Sequence, residues 1–206
     1  MSLSRAPRRR STSGRALLLT AVTLAGGLTL TACGDGSGGS SGSGGTNYVQ
    51  GSGGIQTVAR AERQPAPKLD GETVAGDRLD VSSLKGKVVV LNVWGSWCPP
   101  CRAEAPHFAK VSKELQGKGV EFVGLNTRDS SKQPAVEFEK NFGITYPSLY
   151  DPIGKLILRF PKGTLNPQSI PSTIVLDKDG KIAARSLLAV NEEQLRKMID
   201  PVLAEK

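Results

Sequence analysis

The run Val88-Val89-Val90-Leu91-Asn92-Val93 is rich in β-branched side chains and reads as a buried strand, entered through Gly86-Lys87 and ending near Trp94. A helical pattern follows Cys98 and is predicted to reach about Gln116, where Gly117 and Gly119 stop it. Val120 to Asn126 reads as a second strand, and Ala135 to Phe142 as a helix with Val136, Phe138 and Phe142 as core contacts. Tyr146 to Tyr150 is predicted extended and Gly154 to Phe160 a short helix. Ser172 to Leu176 and Lys181 to Leu187 flank Asp177-Lys178-Asp179-Gly180, a hairpin turn signal. Asn191 with Gln194 three residues on makes a capping box for a last helix ending near Ala204. Upstream, Lys68 to Asp80 carries extended pieces around Gly71 and Gly76, read as an N-terminal hairpin, and Val81 to Leu84 reads as a helical turn. Strands and helices that alternate in this order predict an α/β domain with a central mixed sheet and helices on both faces.

The first part of the chain has a different pattern. Residues 1 to 32 carry Arg5, Arg8, Arg9, Arg10 and Arg15 with no acid, then an uncharged run from Ala16 to Ala32. That is the basic and apolar layout of an export signal. Leu30-Thr31-Ala32-Cys33 places small residues just before a cysteine, as in the lipobox of bacterial lipoproteins, so Cys33 is predicted to be lipidated after cleavage. The alternatives are an ordinary secretory signal or an uncleaved anchor. Residues 34 to 54 are Gly/Ser-rich, and 33–64 is predicted to be a flexible tether, with Pro65 and Pro67 opening a folded domain over 65–206.

The signal also carries most of the charge. The whole chain is +8, with 27 Lys and Arg, and from Cys33 onward 22 basic residues face 19 acidic ones, a net +3. Without a dense basic cluster interleaved with aromatics, the mature part has no nucleic-acid signature. After export and lipidation of Cys33, only Cys98 and Cys101 remain as thiols in an oxidising compartment.

The chemistry sits at Trp94-Gly95-Ser96-Trp97-Cys98-Pro99-Pro100-Cys101, between the strand and the first helix. Unpaired N–H groups and the positive end of the macrodipole favour a thiolate at a helix N-terminus, and a cysteine one turn on can close a reversible disulfide. A structural metal clip is the alternative, but it normally takes four ligands, and the chain holds 3 cysteines and 1 histidine in all. No metal site is expected. A fixed four-residue disulfide would constrain the unfolded chain little, so a worked pair is the better reading.

These residues resemble the thioredoxin superfamily, and within it the membrane-tethered TlpA/ResA-like thiol-disulfide oxidoreductases. The likeness is carried by Gly86 to Trp94, by Trp97-Cys98-Pro99-Pro100-Cys101-Arg102-Ala103-Glu104-Ala105-Pro106, and by Ile170-Pro171-Ser172-Thr173. It implies a thioredoxin-like fold with a strand-helix insertion, an attacking Cys98, a resolving Cys101 and a cis proline at 171. Trp97, Pro99, Pro100, Ile170 and Pro171 would then form the substrate groove. Thioredoxins proper have a buried aspartate where this chain has Asn92, which leaves Glu104 as the candidate proton acceptor, with an exposed helix charge as its other reading. ResA-like proteins often carry a glutamate between the cysteines, where this chain has proline.

The resemblance implies reduction of exported protein disulfides, in particular the haem-attachment cysteines of apocytochrome c, with no cofactor beyond the cysteine pair. A reductant in an oxidising compartment must be recharged, which implies an integral-membrane electron donor as partner. A disulfide-forming oxidant using the same residues and a non-catalytic surface binding lipoprotein are the rival readings. The expected location is the outer face of a bacterial cell membrane, held there by the lipid.

Overall fold

The computed structural model describes residues 47–205. The export signal, the lipobox cysteine Cys33 and the first part of the tether lie outside them. In chain order the strands begin with β1 (Val49–Gln50), β2 (Ile55–Thr57), β3 (Asp70–Glu72), β4 (Arg78–Asp80) and β5 (Val88–Trp94). Helix α1 (Pro99–Leu115) precedes β6 (Val120–Thr127), and α2 (Lys132–Phe142) precedes β7 (Ser148–Asp151). The chain closes with β8 (Ser172–Leu176), β9 (Ile182–Ser186) and α3 (Glu192–Leu203).

Seven strands form one mixed sheet in the order β1-β2-β9-β8-β5-β6-β7. β5 lies inside it, parallel to β6 with Val88 opposite Val120, and antiparallel to β8 with Val89 opposite Leu176. All of β5 is buried, as its unbroken apolar run requires. Alternate residues enter different cores. Val88 and Val90 pack with Phe108, Val111 and Leu115 of α1 and Leu195, Met198 and Ile199 of α3. Val89, Leu91 and Val93 pack with Leu69, Val81, Leu156, Ile157 and Phe160.

The α-helices therefore gather on one face, because two successive parallel crossovers in the same direction deliver α1 and α2 to the same side. The second face carries helical cover of another kind. A 3-10 turn at Val81–Leu84, a 3-10 turn at Ile157–Arg159 and the β3–β4 hairpin close it. The expected helix over 154–160 is thus only a turn, started by the Asp151 carboxylate, which accepts from the Leu156 N–H at 2.8 Å. In α2 the expected core contact of Val136 does not form. That side chain is exposed, whereas Phe138 is buried as expected, Phe142 packs partly buried against the same cluster, and Ala135 joins them.

Residues 47–64 correct the tether expectation. β1 pairs with β2, and β2 pairs with β9 through Gln56 opposite Arg185, while Ile55 and Val58 are buried. Strands of two and three residues leave no periodicity to read, and their glycine surroundings look like linker. Arg63 then locks this segment to the domain. Its guanidinium donates to Asp177 Oδ2 at 3.1 Å and to both Glu205 carboxylate oxygens at 2.7 and 2.6 Å. The Arg63 and Asp177 side chains are nearly sealed from water, so removing one partner strands the other. Arg63→Ala is expected to lower stability by about 3 kcal/mol, measured by urea unfolding.

Candidate active site

The turn Gly95–Trp97 carries the chain from the end of β5 onto α1, with Cys98 at the helix N-cap. Pro99 and Pro100 occupy the first helical positions, where the N–H groups they lack have no acceptor in the helix backbone. Cys98 and Cys101 are joined as a disulfide, Cα atoms 5.3 Å apart. The Cys101 N–H donates to Cys98 Sγ at 3.2 Å. Both cysteines are buried, Cys98 at 2% and Cys101 at 1% exposure. Their surroundings distinguish them. Cys98 Sγ lies 3.9 Å from the Ile170 carbonyl oxygen, on the loop ahead of β8, whereas Cys101 sits inside the first turn of α1.

The peptide bond between Ile170 and Pro171 is cis, as the sequence likeness implied. Trp97 is 47% exposed beside Cys98, while Trp94 is buried and stacked on Phe138, ring centroids 4.3 Å apart. A Cβ on Gly95 would lie 2.7 Å from Trp97 Nε1 and 3.0 Å from the Thr127 carbonyl oxygen, so this turn admits only glycine without moving the indole.

Glu104 is buried, not an exposed helix charge. It falls in the inward stripe of α1 with Cys101, Ala105, Phe108, Val111 and Leu115. Its Oε1 accepts from Asn92 Nδ2 at 2.8 Å and its Oε2 from the Val190 N–H at 3.0 Å. Burial pushes its pKa up to about 7, against the lowering effect of those two donors. Asn92, the departure from the thioredoxin pattern, is therefore the donor that holds the carboxylate of the next layer. His107, the one histidine, is half-buried on α1 beyond this group.

Asp129 was missed in the sequence. Its carboxylate accepts from the Ser96 N–H at 3.0 Å, from the Ser96 hydroxyl and from Asn126 Nδ2 at 2.6 Å, and so fixes the turn that presents Cys98. It comes from the loop after β6, at a distance in sequence that no local pattern reveals.

A cysteine pair at this strand-to-helix junction, facing a proline loop on a mixed sheet, defines a thioredoxin-like thiol-disulfide oxidoreductase. The chain belongs to the Redoxin family, whose profile matches residues 61–200. It is 32% identical to the thiol-disulfide oxidoreductase ResA of Bacillus cereus over 130 residues, 63% of this chain and 72% of that protein. A DsbF homologue from Corynebacterium diphtheriae superposes with a TM-score of 0.67 at 39% identity, covering 76% of this chain and 99% of that one. A secreted thiol-disulfide isomerase from Corynebacterium glutamicum gives a TM-score of 0.70 at 32% identity, covering 78% and 99%.

Proposed function

We propose that this protein is a lipid-anchored, extracytoplasmic reductase of disulfides in exported proteins, acting on the haem-attachment cysteines of apocytochrome c. The export and lipobox pattern ending at Cys33 supports the location, as does the likeness to a secreted isomerase. Among the described residues no helix is long and apolar enough to cross a membrane. The proposed hold on the membrane is the lipid on Cys33, read from the lipobox pattern.

In the proposed cycle the Cys98 thiolate attacks one sulfur of the substrate disulfide, and the other substrate sulfur leaves as a thiolate. Cys101, deprotonated by the Glu104 carboxylate one turn along the same face, then attacks Cys98 Sγ. The second substrate thiolate departs, the substrate has gained two electrons, and the enzyme pair is oxidised. An integral-membrane electron donor returns the pair to the dithiol.

The observation that carries the reducing direction is the donor count around Cys98. With prolines at both first positions, the Cys101 N–H is the backbone donor that reaches its sulfur. A thiolate with few donors is poorly stabilised, and a less stable reduced form makes a stronger reductant. Equilibration with glutathione tests this. A potential near the thioredoxin value of about −270 mV is expected, and one near about −120 mV would make the protein an oxidant.

Pro100→His restores the N–H of the second helical position, from which an N-cap side chain can accept, so it is expected to raise the potential by about 30 mV or more and to shift thiolate absorbance to lower pH. A change in the opposite direction would show that something other than donor count sets the poise. For the anchor, Cys33→Ser is expected to release the protein from membranes or leave the precursor uncleaved, and mass spectrometry of membrane-derived protein should show a lipidated Cys33.

A further inference from the structure

Where β6 ends, the surface opens into a cavity of about 240 Å³ whose lining includes Thr127, Arg128, Ile153, Leu158, Pro167 and Gln168. Its far wall belongs to the loop that reaches Ile170, opposite Cys98 Sγ. Its near wall is Arg128, whose guanidinium lies 4.5 Å from the centroid of the exposed Trp97 ring. Ile153 and Leu158 are 69% and 67% exposed and lie together on its wall.

Arg128 is also the one non-glycine residue with positive φ among the described residues, at +59°. Glycine would take this conformation without strain, and the backbone needs it only to turn Asp129 inward under Ser96. An arginine here needs a reason in its side chain. Stacking on Trp97 accounts for where the guanidinium lies but leaves its charge unanswered. Among the described residues Arg128 makes no ion pair, and the nearby carboxylate of Asp129 is buried and already engaged by three donors. On the helix side Arg102, also without an ion pair among these residues, donates to the Ser96 carbonyl, so the rim is cationic on both flanks of Cys98.

We propose that this cavity is the specificity subsite of the reductase, and that it takes a substrate segment carrying an aliphatic side chain and a carboxylate close to its disulfide cysteine. The aliphatic group enters between Ile153, Leu158 and Pro167, and the carboxylate meets the free edge of the Arg128 guanidinium. The occupant follows from continuity. Arg128 joins the cavity to Trp97, and Pro167 and Gln168 join it to the loop that carries Ile170, so the proposed path of a segment bonded to Cys98 and laid along that loop extends over it, and the cavity's charge is complementary to an acidic segment. This inference rests on the reductase reading and adds to it which disulfides are preferred.

The test uses the purified protein with dithiothreitol as reductant and three self-quenched disulfide peptides. They share one sequence with leucine two residues before the cysteine and differ only in the next residue, Glu, Gln or Lys. The expected order of kcat/KM is Glu, then Gln, then Lys, with about tenfold between the ends, carried by KM and shrinking with added salt. Arg128→Gly should bring that ratio to about one with no loss of thermal stability, and Arg128→Glu should reverse it. Serine in place of the peptide leucine should raise KM for the parent protein and leave KM unchanged for Leu158→Ser. Equal turnover of the three peptides, or a charge preference that survives Arg128→Gly, overturns the subsite alone. Turnover of none of them overturns the subsite and the reductase reading together.

Discussion

Cys98→Ser is expected to reduce insulin turnover to the uncatalysed background, while Cys101→Ser is expected to accumulate covalent adducts with its substrates. The reason lies in what each sulfur faces. Cys98 Sγ stands against the Ile170 carbonyl, at the groove, and Cys101 is enclosed by the first turn of α1. A substrate sulfur can therefore reach Cys98 first, and without Cys101 nothing displaces it. Both cysteines are equally covered in the disulfide form, so the order of attack depends on placement along the groove and not on exposure. Tryptic mapping of the adduct settles it, since adducts recovered through Cys101 in Cys98→Ser would reverse the assignment.

The second large effect belongs to Glu104. With its folded pKa near 7 against an ordinary 4.5, the folded state holds this proton more tightly than the unfolded chain. Stability from this group is therefore complete below about pH 4.5 and is lost as pH rises through about 7, by about 3 kcal/mol in total. Glu104→Gln keeps both hydrogen bonds if the Asn92 amide turns over, and it carries no charge to bury. Urea unfolding at pH 5 and pH 8 should show the parent protein losing stability where the variant does not. The same substitution should slow the resolving step about a hundredfold at pH 7, because Cys101 loses its base. A variant with unchanged resolution and the parent's pH dependence of unfolding would remove Glu104 from both roles.

How far the chain could be read in advance depended on how local each signal was. The strand before the cysteines was legible because seven consecutive residues are all buried and mostly β-branched. The turn at 177–180 was legible because Asp177 Oδ1 accepts from the Asp179 and Lys181 N–H groups, a bond pattern written within a few residues. The Asn191–Gln194 box formed with both of its hydrogen bonds for the same reason. Glu104 could have been placed correctly from the sequence, since it falls on the apolar stripe of its helix. Asp129 could not, because its partner Ser96 lies on another loop. The strands at 49–57 were hidden for a different reason: their pairing partner, β9, is more than a hundred residues away, and short glycine-flanked segments have no pattern of their own.

Those short strands have a bearing on how the sheet ends. β9 would otherwise present an open row of N–H and C=O groups, a template on which a second molecule could add a strand. β2 occupies that row, and β1 presents in its place a border of two residues beside glycines, too brief to support further pairing. At the other margin Thr73 bridges to Leu149 on β7, and the Val74 N–H donates to the Ser148 carbonyl. A recombinant domain begun at Pro65 would uncover β9 and invite aggregation, whereas one begun before Asn47 keeps both margins of the sheet sealed.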